Sequence, residues 1–278
     1  MKFDAPVAEG EGSAAALGRP HGAIGRYLAL LICVVCLGLA GALLRQLVNP
    51  IESGTRRQEP ALRTVATAGP GVALALLGGF RALVADAVWI RLYVTWEKRD
   101  LPATDSAIRF VSTIDPRPVY FWLNGARIMA YDFAAWRIEA EGGDQRLAQA
   151  GQDLIVREQG RRALGHLERA LAFHPASADL WIERANIELN RIQDVAAAAE
   201  SYRRAAQVPR APYYAARLHA ETLRRLGRHG EALDWLVKLH PTLPADESAA
   251  RDVVLARIRD LERLTGAPME QVYRPPPP

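Results

Sequence analysis

Residues 163–209 read ALGHLERALAFHPASADLWIERANIELNRIQDVAAAAESYRRAAQVP, and the end of this stretch repeats its beginning. Pro175 and Pro209 stand 34 residues apart, and Pro241 follows 32 residues later. Upstream of Pro175 come Ala163, Leu167 and Ala170; upstream of Pro209 come Ala198, Tyr202 and Ala205, with the same spacing of four and three. That spacing places small, large and small side chains on one face of a helix, where the alanines let a second helix approach closely. A proline cannot continue a helix, so each one predicts a sharp turn between successive helical hairpins.

The pattern extends outward from this stretch. Trp122 and Trp181 each lie six residues after a proline, Pro116 and Pro175, and Ala126 and Ala185 lie ten after. The segment Ser106 to Pro116 aligns without a gap to Glu231 to Pro241, so both read as second helices of one kind of unit, about one turn shorter than the inner ones. A period near 34 residues with this small and large pattern resembles the tetratricopeptide repeat family, over roughly residues 80–241. Glu188, where that family prefers an aromatic, is a departure. The resemblance implies an all-α chain: a right-handed α-solenoid of about four hairpins whose inner face binds extended peptides or helices of partner proteins.

The predicted helices are a lead helix from Ala73 to Lys98 paired with one from Asp105 to Ile114, three further hairpins, and a C-terminal capping helix from Asp246 to Leu264. Asp246 is the expected N-cap of that last helix and Gly266 its stop, with Ala249, Val253, Ala256 and Leu264 as its apolar stripe. An insertion near residues 133–159 carries a Gly142-Gly143-Asp144 break between two extra helical pieces. The repeat region spans 71–266, and a Pro-rich tail occupies 267–278.

Upstream of the repeats, residues 1–24 read as a flexible tail and 48–70 as a linker rich in turn dipeptides. Between them, Tyr27 to Leu44 is a run of 18 uncharged residues bracketed by Arg26 and Arg45, the minimum for a helix crossing about 30 Å of hydrocarbon. We read residues 25–47 as one transmembrane helix. The competing reading is a cleaved signal peptide, with Ala40-Gly41-Ala42 as its cleavage site. The arginines flanking the span lean toward a cytoplasmic C-terminal part, whereas a single N-terminal span usually exports the chain beyond it. Export is the favoured direction, across a bacterial-type inner (plasma) membrane. Cys33 and Cys36 fall inside this apolar run and so say nothing about disulfides or metals in the rest of the chain.

Composition narrows the function. The chain has 278 residues, half of them hydrophobic, and a net charge of only +4 with both signs interleaved, which argues against a nucleic-acid binder. No phosphate loop, zinc-protease motif or nucleophile elbow occurs, so no enzyme activity and no cofactor are expected. His166, His174, His219, His229 and His240 are scattered over different units, and His174 and His240 share the pre-proline position. They read as part of the repeat rather than as ligands. Register within the first helices gives Arg127, Asn186, Arg217 and Arg224 as groove residues, suited if clustered to an acidic peptide or a C-terminal carboxylate. Arg81, Trp89 and Arg91 on the lead helix are possible membrane-surface contacts, against the alternative that this helix packs under the second hairpin. The expectation is therefore a membrane-anchored adaptor, with a structural subunit of a homo-oligomer as its rival.

Overall fold

The computed structural model describes residues 80–245 and 247–275, all of them within one compact unit, Gly54–Pro278. The expected tail, membrane segment, linker and first turns of the lead helix lie outside the described residues, as does Asp246. Among the described residues the chain is all-helical, with no strand, and no helix is long and apolar enough to cross a membrane.

Helix α1 (Arg81–Glu97) buries Ala85, Val88, Trp89 and Leu92, the spacing of one helical face. It packs on α2 (Leu101–Ile114). This second helix begins a turn earlier than its alignment with residues 231–241 suggested. Asp100 caps it by accepting from the Ala103 N–H at 3.1 Å, and Pro102 sits in the first turn, where no intrahelical donor is needed. The cap lies outside the aligned segment, so the alignment could not place it.

After Pro116 the chain enters α3 (Val119–Arg127), a π-helical turn at Ile128–Asp132, and α4 (Phe133–Ala140). The break at Gly142 and Gly143, both at positive φ where a side chain would be strained, reverses it into α5 (Gln149–Phe173). The inserted residues thus lengthen both arms of one hairpin. Arg137 of α4 pairs with Glu158 of α5 at 2.7 Å across the added length.

Following Pro175, α6 (Ala178–Ile187) likewise ends in a π-helical turn, Glu188–Ile192. Here Gln193 at positive φ and Asp194, which caps α7 (Val195–Ala206), turn the chain back at once. Two units therefore share a π turn at nearly the same distance from their proline, and differ in whether the helix continues beyond it. Glu188 begins the second of these turns, buried, accepting from Ser201 at 2.6 Å and Arg184 at 2.8 Å. Its buried carboxylate is satisfied by these two donors.

Helices α8 (Tyr213–Arg225), α9 (His229–Leu239) and α10 (Arg251–Thr265) complete the order. The last one starts five residues later than expected, because a short 3-10 turn, Glu247–Ala249, and Ala250 in the left-handed region intervene. Its inward face also differs from the expected stripe. Val254, Ile258 and Leu261 are buried, while Val253 and Leu264 from the expected stripe are exposed. Gly266 ends it in a left-handed conformation, in agreement with its expected role as the stop.

Packing runs mostly between consecutive helices: α2 on α3, α3 on α5, α5 on α6, α6 on α7, α7 on α8, α8 on α9 and α9 on α10. The buried apolar side chains fall into three clusters along the chain, one within α1 to α6, one within α6 to α8 and one within α8 to α10 with the turns beside it. Trp181 touches the first and the second.

Candidate functional site

The first helices of three successive hairpins line a cleft of about 510 Å³. Helix α1 supplies Trp89, Tyr93 and Trp96; α3 supplies Asn124 and Arg127; the π turn after it supplies Ile128, Tyr131 and Asp132; α6 supplies Glu183 and Asn186. The geometry arises from the elements. Asn124, Ile128, Tyr131 and Asp132 follow one another at i, i+4, i+7 and i+8, the spacing of one helical face, so α3 and the π turn after it present them to the same opening.

Aromatic rings form much of the wall. Trp89 is buried, meets Tyr120 edge-on with ring centroids at 5.7 Å and lies 5.2 Å from the Phe121 ring. Its indole N–H makes no well-formed hydrogen bond, although its dipole acts on the Tyr93 hydroxyl. The Tyr93 hydroxyl lies 3.3 Å from that of Tyr120, a contact that raises its pKa. Trp96 donates its indole N–H to Asp132 at 2.7 Å. Tyr131 lies under the Arg191 guanidinium, 4.0 Å from ring centroid to carbon, and burial together with the Glu183 charge raises its pKa.

The polar groups are largely committed. Arg127 binds the buried Glu183 carboxylate at 2.9 Å. Asn186 accepts from the Tyr202 hydroxyl at 2.6 Å, which leaves its amide N–H groups as donors. Burial pushes that phenol up to about 12, so it remains a donor at neutral pH. Asn124 donates to the Tyr120 carbonyl at 2.9 Å, leaving its side-chain oxygen as an acceptor.

Two of the four expected groove residues, Arg127 and Asn186, are together here. Arg217 and Arg224 are elsewhere: Arg217 donates to the Ala249 carbonyl at 2.9 Å, tying α8 to the turn before the last helix, and Arg224 pairs with Glu221 at 2.7 Å. A cationic row for an acidic peptide is therefore not what these side chains build. Register in the sequence puts all four on first helices, but not their ion-pair partners, and the partners decide which charges face a ligand.

Trp89, expected as a possible lipid contact, packs inward against the second hairpin instead. Of its neighbours in that expectation, Arg81 and Arg91 are both half-buried. Sequence reasoning groups Trp89, Tyr93 and Trp96, which stand at helical spacing, as contacts with a bilayer interface; here the three line the wall of the cleft. Among the described residues no three His, Cys, Asp or Glu side chains gather as a metal site. Compared with known proteins, the chain matches no family model and no curated protein.

Proposed function

We propose that this chain is a membrane-tethered adaptor, a right-handed α-solenoid of tetratricopeptide-like hairpins whose cleft takes an extended segment of a partner protein in an envelope assembly. The observation that carries the reading is the cleft itself, open and built from the first helices of three successive hairpins. Sequential packing of helices and the string of three core clusters support a solenoid. Asn124 offers an acceptor and Asn186 offers donors, the pair that a main-chain amide in an extended peptide requires.

The walls set the partner's chemistry. With Arg127 held by the buried Glu183, and with Asp132 and the aromatic rings on the walls, the cleft favours an aromatic or basic side chain over an acidic one. The chain is anchored through Tyr27 to Leu44 in a bacterial-type inner membrane with the hairpins on the exported side, and acts by binding rather than catalysis.

The test is crosslinking and co-purification of the full-length tagged chain from its host, beside variants Asn124→Ala and Tyr93→Ala. A partner recovered in stoichiometric amount with the parent chain and lost from both variants, at unchanged circular dichroism, supports the reading. Equal recovery with all three chains overturns it in favour of a structural subunit.

A further inference from the structure

Asp132 stands on the cleft wall as a carboxylate without a cation of its own. Among the described residues its one polar partner is the Trp96 indole, which donates to Oδ2 at 2.7 Å and leaves Oδ1 uncommitted. Each buried carboxylate among those residues, Asp105, Asp115, Glu183, Glu188 and Glu262, is by contrast met by an arginine. Within the cleft lining Arg127 and Glu183 neutralise each other at 2.9 Å, so the charge of Asp132 is left over. The side chain is half-buried, where an opposite charge is attracted more strongly than in open water.

Aromatic surface lies open beside it. Tyr93 and Trp96 line the same cleft and are 46% and 37% exposed. The face of an aromatic ring attracts a cation, and a planar guanidinium, less strongly hydrated than an ammonium, stacks on it best. The cleft wall already holds one such pair, with the Arg191 guanidinium 4.0 Å from the Tyr131 ring centroid.

We infer that the cleft reads an arginine side chain of its partner, with Asp132 as the counter-ion and Trp96 and Tyr93 as the rings it lies against. The inference rests on the reading of the cleft as a peptide site, and it names the residue the partner must carry. Asn124 and Asn186 serve the partner's main chain, and Asp132 serves the side chain. An acidic residue there would meet a second carboxylate, and an aromatic one would cover Asp132 without supplying a cation.

The test uses the purified full-length chain in detergent micelles, labelled with 5-fluorotryptophan, with the Trp96 fluorine resonance assigned through Trp96→Phe. The probes are the tripeptide Gly-Arg-Gly, blocked at both ends, and its counterparts with lysine or with citrulline, which is planar like arginine but uncharged. The arginine peptide shifts the Trp96 resonance saturably, and the citrulline peptide binds about tenfold more weakly. Asp132→Asn, which keeps an acceptor for the indole and removes the charge, brings the arginine peptide down to the affinity of the citrulline one. Glu168→Gln, an exposed carboxylate on α5, leaves it unchanged. Equal binding of arginine and citrulline, or an affinity unaltered by Asp132→Asn, overturns the ion pair. Lysine bound as tightly as arginine overturns the choice of a guanidinium, and a Trp96 resonance that no peptide moves overturns the inference whole. Co-purification separates this from the wider reading. A partner retained by Asp132→Asn but lost from Asn124→Ala overturns the arginine and leaves the peptide cleft standing, whereas retention by both overturns the cleft.

Discussion

The Trp122 indole donates its N–H to the carbonyl of Pro116 at 2.9 Å, and Trp181 does the same to Pro175 at 3.1 Å. The six-residue interval seen in the sequence is thus the reach of a tryptophan back over the first turn of its own helix to the inter-hairpin proline. At Pro116 the His174 ring donates from Nε2 as well, at 2.8 Å, so the end of α5 is fastened to the turn before α3.

This relationship predicts unequal costs for one substitution at two sites. Trp181→Phe exposes the Pro175 carbonyl to water, which replaces the lost donor, and should change stability by less than about 0.5 kcal/mol. Trp122→Phe removes a partly buried bond and should cost about 1 kcal/mol. Urea denaturation monitored by circular dichroism compares the two. Equal costs would show that the bond at Trp122 is not the better protected one.

Arg127 and Glu183 form the ion pair that narrows the cleft, with Glu183 buried and Arg127 half exposed. Arg127→Met leaves a buried carboxylate without its cation, and should destabilise the fold by about 1–2 kcal/mol, moderated because the arginine is solvated. Adding Glu183→Leu should recover most of that loss, since an apolar pair of similar volume removes the unpaired charge. A double-mutant cycle in denaturant measures the coupling, and a coupling of zero would mean the pair is only a surface contact.

Two glycines should respond in opposite directions to alanine. A Cβ on Gly125 would stand 2.7 Å from Ile108 Cγ2 and 3.0 Å from His166 Nε2, both in the core, so Gly125→Ala should cost about 1–3 kcal/mol. At Gly165, inside α5, a Cβ meets nothing within 4 Å. Gly165→Ala should therefore stabilise by about 0.5–1 kcal/mol through helix propensity alone. Thermal melts of the two variants provide the comparison, and a stabilised Gly125→Ala would contradict the packing described.

His166 is fully buried with its ring 4.7 Å from that of Trp122, and burial, then the Arg169 charge, push its pKa down to about 3. The unfolded chain, with an ordinary imidazole near pH 6.5, takes up a proton that the folded chain refuses. Stability is therefore present above that pH and falls as pH drops toward 3, by about 1.4 kcal/mol per pH unit for this group. Burial lowers His219 and His240 as well, so they add to the slope with the same sign. Glu200, held at about 2 mainly by Arg203 and Arg204, adds its own loss only below about pH 4.5. Denaturation between pH 7 and 5 should show the slope, and His166→Phe should reduce it by close to one proton. An unchanged slope would place the titration elsewhere.

The hairpin order was legible because it is written locally. Proline position, alanine spacing and the Pro-to-Trp interval repeat in the chain, and each acts through the helix that carries it. Element ends were less legible where a cap lay outside the repeat: Asp100 and Pro102 moved the start of α2 forward, and the turn at Glu247–Ala249 moved the start of α10 back. On that last helix Val254 lies on the inner face and Val253, about 100° round the helix from it, does not.

The sequence by itself determined an all-helical chain of successive hairpins, since periodicity and turn residues are properties of short stretches. Only the tertiary structure decided which side chains face the cleft, because that depends on pairs distant in the chain. Arg127 meets Glu183 and Tyr202 meets Asn186, while Arg217 is drawn to the Ala249 carbonyl. A guanidinium on a predicted groove face is a ligand contact only if no carboxylate or carbonyl of the same fold reaches it first, and that contest is settled in three dimensions.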